Sequence, residues 1–353
     1  MPTPGSPSRT RIRACVGLAL TSAMTAAIPG APVGALGGCG GALVLCGPAR
    51  PASCPAATEG SVALVRDLDV QPKLVAVDGN DLWVTAVVEG RSRGGAVFHL
   101  DAWTGTVLAR HDADDPAGIV VEGDHVYWTD RFAGTVSRVA KTGGAVEVLV
   151  RDRVSPGRIA SDGRGHVVWV DTRSAVMRFD VGSGSVVPLV DRGVSPVYLA
   201  VRGSTVVFTN IGAAIVMRVP VAGGDAEAVV EGTGAPNGIA IDDERIHWTE
   251  RDEVVSVAVD GTDRRVHVSG HGTPAGIALA PTREGSFVYW TNYASLQVSQ
   301  DATDDTEGSV ERTCGRGGEA VVVDGDQSRP FGIAVGGCDV YWTARGSVWR
   351  RAL

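Results

Sequence analysis

Short apolar runs separated by turn residues recur along the chain, and residues 116–130 show the pattern best. This segment opens on Pro116, continues as an apolar run to Val121, turns at Gly123 and ends on a second run from His125 to Asp130. Both runs are shorter than a typical helix, and each is flanked by turn residues. The pattern therefore predicts β-strands joined by tight turns.

The same segment returns roughly every 40 residues, which marks the chain as a repeat protein. The opening prolines are Pro72, Pro116, Pro156, Pro196, Pro236, Pro274 and Pro330. The large aromatic residues that follow them are Trp83, Trp128, Trp169, Phe208, Trp248, Trp290 and Trp342. One bulky ring per unit, always at the same position, favours a packing role over ligand binding.

Each unit reads as four short strands, which in the second unit are 118–121, 125–129, 135–140 and 145–150. Units of this size without helices predict an all-β fold, a seven-bladed β-propeller of four-stranded blades. Only three strands fit between Pro330 and Leu353. We therefore expect an N-terminal strand, Ser61 to Arg66, to join the C-terminal blade and remove the open edge of the ring.

Three units carry variants of one tetrapeptide: Tyr-Trp-Thr-Asp at 127–130, Tyr-Trp-Thr-Asn at 289–292 and Tyr-Trp-Thr-Ala at 341–344. These phrases resemble the YWTD repeats of low-density-lipoprotein-receptor β-propellers, and more closely those of bacterial secreted proteins. The resemblance covers nearly all of 61–353 and implies a binding platform whose partners dock on one open face. Receptor propellers have six blades, and only one unit here has the full motif, so receptor function does not carry over.

Charge and composition narrow the function classes. The 353 residues include 44% hydrophobic and 20% charged residues, enough apolar side chains for a buried core. The net charge of −8 argues against nucleic acid as a partner, because phosphate binding needs a basic face. We expect a monomer.

The N-terminus has the pattern of an export signal over residues 1–38. Arg9, Arg11 and Arg13 precede an uncharged run with an apolar core of secretory length. Residues 36–39 resemble a bacterial lipobox with Cys39 as the lipidated residue, whereas 33–35 fit an ordinary cleavage site. The protein is thus expected to be a cell-envelope lipoprotein, touching the membrane only through lipid, or a soluble secreted protein. A Gly/Ala/Pro-rich linker, 39–60, precedes the propeller, 61–353.

The cysteine count suits an oxidising compartment. The six cysteines are Cys15, Cys39, Cys46, Cys54, Cys314 and Cys338. If Cys39 carries lipid and Cys15 leaves with the signal, four remain for two disulfides. We predict a Cys314–Cys338 disulfide, because both lie on one face in adjacent blades, with Cys46–Cys54 as a second pairing.

The residues that follow the Trp-Thr positions should form a circle on the opposite face, where they are candidates for binding. They are Asp130, Arg131, Asp171, Asn210, Glu250, Arg251, Asn292, Tyr293 and Arg345. The Asp, Glu and Asn members can alternatively cap the N–H groups of turns. Arg131, Arg251, Tyr293 and Arg345 are the stronger contact candidates, because Arg and Tyr dominate binding hot spots.

Neither catalytic nor metal-binding residues stand out, and no cofactor is predicted. His267 and His271 are four apart, but in a turn, and the acidic run 301–307 lacks the glycine and spacing of a calcium loop. No Gly-x-Ser-x-Gly motif is present.

Two hypotheses for function follow. The first is an exported, non-catalytic propeller that binds a protein or glycan through its polar loop face. The alternative is a propeller lyase or hydrolase acting on a small molecule at the mouth of the central channel. Catalysis would need two or more convergent ionisable groups at that mouth, whereas the pattern places Ala117, Val197, Ala275 and Phe331 there.

Overall fold

The structure is a computed structural model that describes residue 54 and residues 60–66, 68–88, 93–172, 174–270, 272–283, 285–293 and 308–353. The predicted export signal 1–38, the lipidation candidate Cys39, the linker apart from residues 54 and 60, His271 and the acidic run 301–307 lie outside the described residues. Within the described ranges no helix is long and apolar enough to span a membrane.

The described residues form 28 strands in seven four-stranded antiparallel sheets, the blades. Blade 1 is β2 (Gln71–Asp78), β3 (Asp81–Val87), β4 (Gly95–Asp101) and β5 (Val107–Ala113). Blade 2 is β6 (Pro116–Glu122), β7 (His125–Asp130), β8 (Thr135–Ala140) and β9 (Glu147–Val150). Blade 3 is β10 (Pro156–Ser161), β11 (His166–Asp171), β12 (Ala175–Asp180) and β13 (Val186–Val190). Blade 4 is β14 (Pro196–Arg202), β15 (Thr205–Asn210), β16 (Ile215–Pro220) and β17 (Glu227–Val230).

The remaining blades follow the same order. Blade 5 is β18 (Pro236–Ile241), β19 (Arg245–Glu250), β20 (Glu253–Ala258) and β21 (Arg265–Ser269). Blade 6 is β22 (Pro274–Thr282), β23 (Gly285–Asn292), β24 (Gly308–Cys314) and β25 (Val321–Gln327). Blade 7 is β26 (Ile333–Gly336), β27 (Asp339–Ala344), β28 (Ser347–Ala352) and, from the other end of the propeller, β1 (Val62–Val65).

The ring closes as the sequence predicts. β1 pairs antiparallel with β28, with Ala63 opposite Trp349, and so becomes the outer strand of blade 7. The inner strands of neighbouring blades contact one another around the ring, including β26 of blade 7 and β2 of blade 1. The prediction of a seven-bladed β-propeller with an N-terminal closing strand is confirmed.

The hydrophobic core lies between the blades. Seven clusters of buried side chains each join two neighbouring blades, one for every boundary in the ring. The repeated aromatic residues occupy these boundaries and are at most 2% exposed. Six of the rings fill equivalent positions at six boundaries, which is the packing role expected from their spacing. Trp83 differs: Val84 holds the repeat position in blade 1, and Trp83 packs on the other face of that blade, in the same cluster as Trp128.

In blades 2 to 6 the repeat proline is the first residue of the inner strand rather than lying ahead of it. In blade 1 it is the second residue, and in blade 7 it precedes the strand as the sequence predicts. Pro116 pairs with Asp130, and the register then shifts before Ile119 meets Trp128. Equivalent shifts follow the opening prolines of blades 1 and 3 to 6. Proline is tolerated at a strand start next to a bulge because it lacks an N–H for the ladder. The bulge turns the two residues after the proline toward the neighbouring blade.

A threonine after the repeated aromatic residue fastens one blade to the next. Thr291 Oγ1 accepts a hydrogen bond from the N–H of Gly276 in its own blade (3.0 Å) and donates to Phe331 O in blade 7 (2.9 Å). Thr343 makes the same pair, accepting from Gly332 N–H and donating to Lys73 O in blade 1, each at 2.9 Å. Thr129 and Thr249 donate to the equivalent carbonyls of the blades that follow theirs.

The close approach at this junction requires glycine two residues after the proline in four blades. A Cβ placed on any of these glycines would lie well under 3.0 Å from the carbonyl oxygen that the next blade presents there. The four are Gly118, Gly238, Gly276 and Gly332.

The predicted disulfides are wrong in their pairing. Cys338, in the turn between β26 and β27, bonds to Cys54, with 5.5 Å between the Cα atoms. Leu353, just beyond the end of β28, donates its N–H to Cys338 O. β1 starts beside that end of β28, which is consistent with a bond between Cys338 and Cys54, a residue shortly before β1 in the sequence. The Cys54–Cys338 bond excludes both predicted pairings, Cys314–Cys338 and Cys46–Cys54. Cys314 is also disulfide-bonded.

Replacing Gly276 with alanine should weaken the junction of blades 6 and 7. The added methyl group would collide with Phe331 O, and such overpacking typically lowers the free energy of unfolding by about 1–3 kcal/mol. Urea unfolding measures this. The control is Gly325→Ala, where the nearest atom to the new Cβ is 4.0 Å away, and equal stability of the two variants would contradict the account.

Candidate binding site at the channel mouth

Five of the predicted rim residues are buried and hold loops in place. Asp130 accepts hydrogen bonds from the N–H groups of Asp114, Asp115 and Ala133. Asn210 Oδ1 accepts from Ser195 N–H (2.9 Å), and a Glu250 carboxylate oxygen accepts from Gly234 N–H (2.8 Å).

With Asp171 and Asn292, these residues are between 1% and 4% exposed. Asp171 accepts from Trp169 Nε1–H, and Asn292 donates to Glu311. Asp130, Asn210 and Glu250 therefore cap backbone N–H groups, the alternative that the sequence left open, whereas Asp171 and Asn292 hydrogen-bond to buried side chains.

The other four rim residues are exposed, as a contact surface requires. Arg131, Arg251 and Arg345 lie at the surface, and Tyr293 is 41% exposed. Arg131 is held by Asp115, which accepts hydrogen bonds from its Nε (2.8 Å) and Nη2 (3.0 Å). We call Arg131, Arg251, Tyr293 and Arg345 the exposed rim.

The mouth of the central channel on this face differs from the repeat pattern. Blades 2, 5, 6 and 7 have the required glycine two residues after the proline, but blades 1, 3 and 4 have Leu74, Arg158 and Tyr198 there. Blade 3 also has Val170 where the other blades have threonine, so this position lacks the hydroxyl for the junction with blade 4. Both the glycine and the threonine of the repeat are thus absent at the boundary of blades 3 and 4. Such local departures concentrate at functional sites.

Arg158 lies among aromatic groups from two other blades. Its Nη2 donates to Tyr198 OH (2.8 Å), and its guanidinium carbon is 4.3 Å from the centre of the Tyr198 ring. The same carbon is 5.2 Å from the centre of the Phe331 ring in blade 7. Cation–π contacts of this kind hold a cation in place while leaving its N–H groups able to donate.

Lys73 brings a second cation to the same place. Its Nζ is 5.9 Å from the centre of the Phe331 ring. Lys73, Arg158, Tyr198 and Phe331 line one cavity of about 340 Å³, together with Ala117 and Val197 from the predicted lining. Arg131 of the exposed rim also lines it. We call this cavity the mouth.

A second cavity, about 450 Å³, adjoins the mouth and shares Lys73 and Phe331 with it. Tyr293 and Arg345 of the exposed rim line this cavity, together with Arg329. The structure therefore brings three of the four exposed rim residues to the two cavities, and only Arg251 contributes to neither.

The chemistry of the mouth is cationic and aromatic. Among the described residues that line either cavity there is no Asp, Glu or His. Guanidinium, ammonium and phenol groups that face each other without carboxylates can hold an anion, and the rings can pack against a hydrophobic or sugar ring.

Sequence reasoning missed Lys73, Arg158 and Tyr198. An alignment of the seven units could have found the last two, since Arg and Tyr stand where four units have Gly. Lys73 carries no such signal, because the residue after the proline differs in every unit but two.

No described histidine lines the mouth or the adjoining cavity. His166 Nδ1 is 2.6 Å from Asp162 Oδ2, in a turn at the opposite end of the channel. No group of three or more potential metal ligands occurs among the described residues. His247 and His267 form a buried pair between blades 5 and 6, with ring centres 5.7 Å apart.

Burial strongly disfavours the charged form of both rings in this pair. It lowers the pKa of His247, whose Nε2 is 3.7 Å from Asp242 Oδ2, too far for a hydrogen bond. Burial, with the nearby His247, also lowers the pKa of His267 from 6.5 to about 3. Both rings are therefore neutral in the folded protein at neutral pH.

Comparison with known proteins identifies the fold but no family. No family model matches the chain, and no curated protein matches its sequence. A catalytically inactive virginiamycin B lyase from Staphylococcus aureus, crystallised with quinupristin, is similar in structure. It has a TM-score of 0.65 at 14% identity, over 83% of this chain and 98% of that one.

Two further solved structures resemble the chain. The computationally designed Ika8 protein has a TM-score of 0.58 at 15% identity, over 82% of this chain and 99% of that one. A chain of the nidogen/laminin complex has a TM-score of 0.44 at 19% identity, over 72% and 83%. At identities of 14% and 15%, the similarities to the lyase and to Ika8 show the β-propeller fold alone.

Acid should destabilise the protein through the buried histidines. Because the folded-state pKa of His267 lies below its ordinary value, the unfolded chain binds more protons below pH 6.5. The free energy of unfolding should therefore fall as the pH is lowered from about 6.5 toward 3. Urea unfolding at pH 7.5 and 5.0 measures the loss, which should be smaller in His267→Gln. An identical loss in the variant and the native protein would contradict this reading.

Proposed function

We propose that this protein is an exported, non-catalytic β-propeller of the YWTD-repeat type, which binds a protein or glycan through the exposed rim and the mouth. The observation that carries the proposal is the lining of the two cavities. Their cationic and aromatic side chains include Arg and Tyr, the residue types that dominate binding hot spots.

Export is supported by the disulfide chemistry and the N-terminal pattern. Disulfides persist in oxidising compartments outside the cytosol, and Cys54–Cys338 ties the segment before β1 to blade 7. The basic, then apolar, N-terminal segment fits a secretory signal, and Cys39 remains the candidate for lipidation.

Binding is favoured over catalysis by the kinds of groups at the mouth. General acid–base chemistry most often uses an imidazole and, next most often, a carboxylate. The described lining instead supplies Lys73, Arg158 and Tyr198, and the histidines with lowered pKa lie between blades. The similarity to virginiamycin B lyase concerns the fold, so a lyase activity has no separate support here.

The proposal predicts that charge reversal on the exposed rim abolishes partner capture. The full-length protein would be immobilised and exposed to the culture filtrate of its native host. Arg251→Glu combined with Arg345→Glu should lower the recovery of a captured partner at least about tenfold, since interface charges of the wrong sign repel.

The matched control is Arg164→Glu combined with Arg316→Glu, two exposed arginines in turns on the opposite face. It should capture the partner as the native protein does. Equal recovery by the rim and control variants, with both folded by circular dichroism, would contradict binding through the rim.

A further inference from the structure

We propose that the mouth is a carboxylate-binding site, in which Arg158 and Lys73 hold the carboxylate of an organic acid or of an acidic sugar while Tyr198 and Phe331 pack against its carbon skeleton. This inference rests on the proposed function, because it names the class of ligand that the binding face takes. The argument begins with Arg158.

Arg158 is held in place but has donors to spare. A guanidinium has five N–H donors, and among the described residues only Tyr198 OH accepts from that of Arg158. The rings of Tyr198 and Phe331 flank the same guanidinium. A planar fork fixed by stacking loses little freedom when it binds a carboxylate through two parallel hydrogen bonds.

Two cationic side chains lie near the ring of Phe331. Arg158 and Lys73 come from blades 3 and 1, and both lie within 6 Å of the Phe331 ring centre, at 5.2 and 5.9 Å. Both side chains also line the same cavity, so a carboxylate bound there interacts favourably with two cations. The protein carries a net charge of −8, so a cationic cavity lined by no described carboxylate stands out from its overall charge.

The cavity is of a size for a small ligand or one residue of a chain. Its volume of about 340 Å³ lies at the lower end of the range for small-molecule sites, roughly 300–1,000 Å³. The lining pairs a few polar groups with apolar ones, Ala117, Val197 and Phe331, as such sites do.

The residues that build this site replace the ones that fasten blades elsewhere. Arg158 and Tyr198 stand at the glycine position, and Val170 stands at the position of the threonine that donates to the next blade. Blades 6 and 7 show the cohesive arrangement that is missing at this boundary. At this boundary the threonine hydrogen bond to the next blade is therefore absent, and side chains that line the mouth stand nearby instead.

Isothermal titration of the full-length protein at low ionic strength tests the inference with three probes. They are trigalacturonate, its neutral counterpart galactotriose, and citrate. At least one of the two acids should bind, galactotriose should not, and added salt should weaken the binding. Binding of trigalacturonate alone identifies a sugar acid, whereas comparable binding of citrate identifies a small organic acid.

Arg158→Gln should weaken binding of the acid about tenfold to a hundredfold, the range expected for losing hydrogen bonds to a charged group. Arg158→Lys keeps the charge but not the fork, so its affinity should be intermediate. Arg192→Gln is the matched control, because its side chain is 90% exposed on the same face and lines neither cavity. Unfolding midpoints would confirm that each variant is folded.

No binding of either acid to the native protein, or equal affinity in the native protein and Arg158→Gln, would overturn the inference. If partner capture still depends on the exposed rim in that case, the proposed function stands without it. If the acids bind through Arg158 but rim variants capture partners normally, the carboxylate site stands and the rim proposal fails.

Discussion

The structure depends on a hydrogen bond that blades 2, 5, 6 and 7 each make to the blade that follows. A threonine that follows the buried aromatic ring ties the inner strand of its own blade to a backbone carbonyl of the following one, as Thr291 and Thr343 show. The contact is so close that glycine is required beside it. Apolar packing fills the boundaries between blades, but it is not directional. The hydrogen bond fixes how near the inner strands approach the axis, and so sets the width of the channel mouth.

That constraint also explains where a site can form. Where the glycine and threonine are kept, backbone fills the space beside the axis and little room is left for side chains. Where the glycine is replaced by Arg158 and Tyr198, long side chains line the mouth instead. Leu74, at the same position in blade 1, packs against the core between blades 1 and 2. Closure of the ring then brings Lys73 and Phe331, from the two ends of the propeller, to the same cavity. The cationic and aromatic lining of the mouth therefore comes partly from broken repeat positions and partly from closure of the ring.

Much of the fold could be predicted from the sequence, because every blade solves the same packing problem and leaves the same pattern. The spacing of prolines and aromatic rings predicts seven blades, and the missing last strand predicts the closure by β1. The disulfide pairing could not be predicted, since residues 39–60 have no pattern that places Cys54 beside Cys338. Nor could the sequence distinguish the buried rim residues from the exposed ones. A polar residue that follows a strand can either hold a loop by hydrogen bonds or contact a partner. The mouth was missed because it joins residues from blades 1, 3, 4 and 7.

The most direct test of the central idea, that broken repeat positions create a carboxylate site at the axis, is a crystal structure of the protein grown with trigalacturonate or citrate. The account predicts a carboxylate within about 2.7–2.9 Å of the Arg158 guanidinium, with the ligand packed against Phe331. Density for the ligand on the opposite face of the ring, with none beside Arg158, would contradict it.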